Sequence, residues 1–152
     1  MSLISKALAP GSIAVGVKCT DWESAVRAAG AGLVASGRVT PAYTDAMVAA
    51  VRDLGPYIVI APGLAMPHAR PSADVLQTGM SLVLLAEPVK FGHAKNDPVR
   101  VLFGLAALDH DKHLELLSEF AQLFSRTDFV NSLLTCGSEA EIRLLLAEDL
   151  AD

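Results

Sequence analysis

The chain has 152 residues, 52% hydrophobic and 19% charged, with a formal net charge of −5, which describes a folded globule with a core of ordinary size. No run of Lys and Arg offers nucleic acid a basic face, and no apolar run reaches the roughly 18–20 residues of a membrane span. The start, Met1-Ser2-Leu3-Ile4-Ser5-Lys6, lacks the basic stretch and long apolar run of a signal peptide, so Cys19 and Cys136, which form no Cys-x-x-Cys pattern, read as reduced, inert thiols of a cytoplasmic protein. No linker, charge block or repeat interrupts the chain, so residues 1–152 read as one domain.

Ser12 to Val17 alternates weakly, as a short strand does. Thr20-Asp21-Trp22-Glu23 has capping-box spacing, with the Thr20 hydroxyl and Glu23 as its partners, and predicts a helix from Trp22 to about Ser36 that stops at Gly37. Thr40-Pro41 is a second start, a cap followed by proline at the first helical position. That helix carries Tyr43, Met47, Val48, Val51 and Leu54 at helical spacing and ends at Gly55. Tyr57 to Ile60 is short and β-rich. Thr78 to Ala86 and Val99 to Ala107 are continuous apolar runs, as expected of central strands covered on both faces. Between them, Glu87 to Pro98 is a polar loop with room for an edge strand near Val89-Phe91. From Asp109 the chain turns helical: His113, Leu117, Phe120 and Phe124 share one face. Thr127 to Leu134 is a short helix, and Ser138-x-x-Glu141 opens a last one with Ile142, Leu145 and Leu146 inward. The pattern predicts an α/β fold, a three-layer sandwich with a small mixed central sheet flanked by helices.

The residue that stands out chemically is His68. It sits in Pro67-His68-Ala69-Arg70-Pro71, after the apolar stretch Tyr57 to Met66 and the Gly63 turn. Imidazole is the side chain best suited to act as base, acid or nucleophile near neutral pH, and a proline-framed turn fixes its backbone. His113 falls in the first turn of the helix begun by Asp109 or Asp111, where the helix dipole favours a neutral ring and nearby anions. Arg52, near the end of the second helix, could bind phosphoryl oxygens in pairs; Arg70 is a further basic candidate. Asp109-His110-Asp111-Lys112-His113-Leu114-Glu115 can be read as metal ligands, but Lys112 lies within it and the aspartates have capping work. His93 and His110 read as exposed. Gly30-Ala31-Gly32 lies inside a helix and so is no dinucleotide cradle; no Gly-x-x-x-x-Gly-Lys-Ser/Thr occurs either.

Gly63-Leu64-Ala65-Met66-Pro67-His68 resembles the phosphohistidine motif of the mannitol/fructose-type enzyme IIA proteins of the bacterial sugar phosphotransferase system. The resemblance covers almost the whole chain. The stretch from Gly55-Pro56-Tyr57 through His68, followed by Asn96-Asp97-Pro98-Val99, is most similar to the ascorbate-specific branch. Ala69 departs from it, since that branch often has glycine there. The resemblance implies that His68 is phosphorylated, on Nε2, with Nδ1 held by a hydrogen bond to backbone. It makes His113 the second active-site histidine and Arg52 the active-site arginine. It implies no metal and no cofactor, because the donor is itself a phosphoprotein. Its partners would be HPr as donor and enzyme IIB as acceptor, and through IIB the membrane enzyme IIC, for uptake of L-ascorbate. Leu64 and Met66 would serve packing or docking. A regulatory phosphoprotein of the same fold, of the nitrogen-related type, is the alternative; a metal-dependent hydrolase using His110, His113 and nearby carboxylates is a third.

Overall fold

The computed structural model describes residues 3–126 and 128–149. Five strands form one sheet in the order β1-β4-β5-β3-β2: β1 (Ile13–Val17), β2 (Val59–Ala61), β3 (Leu64–Ala65), β4 (Gly79–Val89) and β5 (Val99–Ala106). β4 and β5 pair antiparallel along their length, β1 joins β4 in parallel, β3 joins β5 in parallel, and β2 folds back antiparallel on β3. The sheet is therefore mixed, as expected. Burial is unbroken from Gly79 to Leu85 and from Val101 to Ala106, matching the continuous hydrophobicity of the two central strands.

Helices cover both faces. On one, α2 (Trp22–Ala35) and α3 (Pro41–Leu54) pack Ala29, Leu33, Tyr43 and Met47 against Val83, Leu85 and Leu102. On the other, α1 (Leu3–Ala7), α4 (His110–Phe124), α5 (Phe129–Leu134) and α6 (Glu139–Asp149) pack Ile4, Leu116, Phe120, Leu133 and Ile142 against Met80, Leu82, Phe103 and Leu105. Strand periodicity sorts the residues: along β5, Val101, Phe103 and Leu105 face the second layer, Leu102 and Ala106 the first. The two covering helices of the first layer touch closely at Gly30, where a Cβ would meet the Thr44 side chain at 2.5–2.9 Å.

The structure redraws several local features. The α2 cap is Asp21, not Thr20: its carboxylate accepts the Ser24 N–H at 2.8 Å, the Ser24 hydroxyl closes the box, and Glu23 is left for arginines. Thr40 stands at the N-cap of α3, but its hydroxyl bonds the Asp74 carboxylate instead of the helix. Pro56–Ile58 is a 3₁₀ turn, so the β2 strand starts only at Val59. β4 runs on through Glu87 and Pro88 to Val89, past the end of its pairing with β1 and across an irregularity in its pairing with β5, where proline is tolerated. α6 opens with the Ser138 hydroxyl accepting from Glu141 N–H, and buries Ile142 and Leu146 as the spacing implies. Thr127, the expected start of the short helix, lies outside the described residues.

Phe103 is fully buried, with Phe120 edge-on at 4.7 Å and Phe129 stacked at 6.2 Å. Phe103→Ala is expected to cost about 3–5 kcal/mol of stability, read as a lowered denaturation midpoint; an unchanged midpoint would mean that this cluster does not carry the second layer.

Candidate active site

The site is built by the short strand β3 and the chain that follows it. The β2–β3 turn needs a left-handed residue, and Gly63 supplies it at φ 75°. Its backbone is held twice over: the Gly63 N–H donates to Asn96 O at 2.9 Å, and Gly63 O accepts from Arg100 and Val101 N–H at 2.9 and 3.0 Å. From there β3 runs parallel to β5, Leu64 beside Val101 and Ala65 beside Leu102. The alignment survives beyond the strand. Leu105 N–H donates to Pro67 O at 3.1 Å, and His68 forms an isolated parallel bridge with Leu105.

Alternation along this extended segment aims the histidine. Leu64 and Met66 belong to the core under α4, Ala65 and Ala69 to the core under α2 and α3. His68 shares the parity of Leu64 and Met66, and so it emerges on the side of the sheet that α4 covers. There it meets His113, the two ring centroids 5.2 Å apart and tilted by 59°. Tyr57 contacts the His68 ring edge-on at 5.9 Å and is itself 44% exposed. His68 is half-buried. Leu64 and Met66 are buried outright, so their work is packing, not docking.

The His68 ring is set by one contact: Nδ1 lies 2.9 Å from Met66 O. A carbonyl oxygen only accepts, so Nδ1 carries the proton and donates it. In the neutral ring the lone pair then resides on Nε2. The backbone two residues back thus selects the tautomer.

His113 occupies the first turn of α4. Asp109 caps that helix by accepting from Lys112 N–H at 2.8 Å, and His113 N–H closes the first turn on Asp109 O. Burial pushes the His113 imidazole below its ordinary value, and the neighbouring His68 and His110 rings push the same way. A neutral His113 beside His68 can donate a hydrogen bond to an anion placed between them.

Arg52 lies in the other layer, on the last turn of α3. Its guanidinium is hydrogen-bonded to Glu23 at 2.9 Å, not to His68. The Arg52 side chain is 60% exposed, and an exposed pair of this kind contributes at most about 1 kcal/mol, so separating Arg52 from Glu23 costs little. Glu23 also holds Arg27, which binds Asp45. Arg70 is exposed.

The remaining candidates disperse. Asp109 serves as a cap, Glu115 pairs with Lys112 at 3.4 Å, and His113 turns to His68; among the described residues no group of three or more His, Cys, Asp or Glu converges on one point. His110 is exposed, as expected, but His93 is half-buried and its Nδ1 accepts from Lys95 and Asn96 N–H. The resemblance implies a backbone partner for Nδ1, and the structure identifies it as the Met66 carbonyl; Glu23 as holder of Arg52 and Tyr57 beside the histidine are not marked in the sequence. Backbone carbonyls carry no sequence signal, and the other two contacts join distant parts of the chain.

Residues 6–149 match the family described as the phosphoenolpyruvate-dependent sugar phosphotransferase system, EIIA 2. The chain belongs to that family and is a phosphotransferase system EIIA component. It is 41% identical over 132 residues, 86% of each chain, to the ascorbate-specific PTS system EIIA component of Escherichia coli K12. A putative PTS IIA domain from Streptococcus pyogenes M1 GAS superposes with a TM-score of 0.88 at 33% identity, over 100% of both chains. The mannitol enzyme IIA of Escherichia coli, solved in complex with phosphorylated mannitol enzyme IIB, superposes with a TM-score of 0.78 at 29% identity, covering 95% of this chain and 96% of that one.

The lowered His113 value gives stability a pH dependence of definite sign. The unfolded chain takes the proton first as pH falls, so the contribution is complete above about pH 6.5 and is lost as the pH drops through the folded midpoint below it. Titration of the His113 ring by NMR should give a midpoint below 6.5, and His113→Gln should flatten this part of the stability–pH curve; a midpoint at or above the ordinary value would contradict the reading of a desolvated, repelled ring.

Proposed function

We propose that His68 accepts a phosphoryl group on Nε2 from phosphorylated HPr and passes it to a cognate enzyme IIB, within a cytoplasmic relay that supplies a membrane enzyme IIC for L-ascorbate uptake. The observation that carries the reading is the Nδ1–Met66 carbonyl bond, which leaves the Nε2 lone pair for attack. The lone pair attacks phosphorus, the donor's P–N bond breaks, and its electron pair returns to the donor's nitrogen. Nδ1 keeps its proton through the step. The ring so phosphorylated has cationic character, which the Met66 carbonyl stabilises, and it remains a good leaving group for the onward transfer. His113 donates to a phosphoryl oxygen, and Arg52 exchanges Glu23 for the phosphoryl group; both offset charge that builds up during transfer.

The likeness to the ascorbate-specific component of Escherichia coli supports the substrate, and the mannitol pair solved together supports a IIB acceptor. No helix among the described residues is long and apolar enough to cross a membrane, consistent with a carrier that meets two protein partners in turn. Such encounters need a modest, transient interface around a half-buried ring.

With phosphoenolpyruvate, enzyme I and HPr, wild type should gain acid-labile phosphate and His68→Ala should gain none; label on the mutant equal to wild type would remove His68 as acceptor. His113→Ala and Arg52→Ala should slow transfer on the order of 100-fold, the usual effect of deleting one charge-stabilising group. Offered candidate IIB proteins, the phosphorylated chain should discharge to the ascorbate type. A chain that charges but discharges to no IIB would point instead to the regulatory role.

A further inference from the structure

Tyr43 lies on α3, on the face of the sheet opposite α4, and only 1% of it is exposed. Its place in an apolar stripe marks it as core, and its hydroxyl is the exception. The Tyr43 hydroxyl accepts the Ala69 N–H at 3.0 Å and stands 2.8 Å from Leu105 O and 3.1 Å from Ala69 O. One phenolic proton serves the shorter of these, Leu105 O. Burial pushes the phenol up to about 12, so the group stays protonated and keeps both functions, acceptor and donor.

The hydroxyl sits against the β-bridge at the candidate nucleophile. Where two parallel strands pair at His68 and Leu105, Leu105 N–H donates to Pro67 O and Ala69 N–H donates to Leu105 O. The first bond is present at 3.1 Å. At the second, the Tyr43 hydroxyl joins the two groups: Ala69 N–H donates to the hydroxyl, and the hydroxyl donates to Leu105 O. The backbone before His68 is thus tied to β5 by Leu105 N–H, and the backbone after it is tied to β5 through the Tyr43 hydroxyl. His68 sits between these two ties, with its Nδ1 reaching back to Met66 O.

We propose that Tyr43 is a positioning residue for phosphoryl transfer: its hydroxyl, bonded to both Ala69 N–H and Leu105 O, ties down the backbone that follows His68 and so fixes the ring in the orientation that donates Nδ1–H to Met66 and presents Nε2. The hydroxyl reaches His68 through Ala69 and Leu105, from the layer that also carries Arg52. Phenylalanine at 43 would fill the same volume while removing the hydroxyl from both Ala69 N–H and Leu105 O; the backbone after His68 then loses this tie, and the ring its set angle.

The inference rests on the proposed phosphoryl transfer, and the experiment separates the two. Single-turnover transfer from phosphorylated HPr is measured for wild type, His68→Ala, Tyr43→Phe and a semisynthetic chain with an ester in place of the Ala69 amide, together with the 15N shifts of the His68 ring. Wild type failing to charge would overturn the phosphoryl-transfer reading itself. With wild type active, folded Tyr43→Phe should show a limiting rate at least about ten-fold lower, as small misplacements of a reacting group produce. Its KM for HPr should stay within about two-fold, since docking surface is untouched. Its His68 15N shifts should move from one tautomer toward a mixture. The ester chain, which deletes only the Ala69 donor, should show the same loss, and it decides the matter if Tyr43→Phe does not fold. A wild-type limiting rate, or a His68 ring still wholly in the Nδ1–H form, in a folded Tyr43→Phe or ester chain would overturn the inference.

Discussion

Everything at the site follows from the parallel attachment of β3 to β5. Two residues, Leu64 and Ala65, are formally in the strand, yet their register with Val101 and Leu102 extends to His68 beside Leu105. Neither strand can shift by one residue without exchanging the faces of Leu64, Met66 and His68 with those of Ala65 and Ala69. The cost of that slip is the burial of Leu64 and Met66 under α4 and its neighbours. The hydrophobic core thus fixes on which side the histidine emerges, and α4, packed on that side through Leu116 and Phe120, brings His113 to meet it.

The two layers supply different things. The α4 layer gives a second imidazole at a helix start, kept neutral by burial and by two neighbouring rings. The α2–α3 layer carries Arg52, held on Glu23 in a weak exposed pair. A carrier must hold a phosphoryl group firmly enough to keep it and loosely enough to surrender it. In the proposed transfer, a neutral donor and a displaceable arginine suit that need better than a fixed, buried cation, whose desolvation would demand a permanent counter-charge.

The sequence made much of this legible, for identifiable reasons. β4 and β5 were plain because both faces are covered, which leaves continuous apolar runs. α3 and α4 were plain because each is amphipathic over 14 or 15 residues. The five-residue α1 left no period to detect; its first N–H groups are capped by Glu119 from α4, a tertiary contact. The same kind of contact diverted the Thr40 hydroxyl to Asp74. His68 was conspicuous through its prolines and the Gly63 turn, and its resemblance to a phosphohistidine motif led to the family that the chain proves to share. The meeting of His68 with His113, 45 residues later in the chain, depends on how α4 crosses the sheet, which no local pattern encodes.

The central claim is that the Met66 carbonyl, by taking the Nδ1 proton, makes Nε2 the nucleophile. The most direct test is a long-range 1H–15N correlation spectrum of the protein labelled in histidine, before and after charging by phosphorylated HPr. The account predicts an Nδ1–H tautomer at His68 before charging, and phosphorus coupled to Nε2 after it. Phosphorus coupled to Nδ1, or an uncharged ring protonated on Nε2 alone, would contradict it.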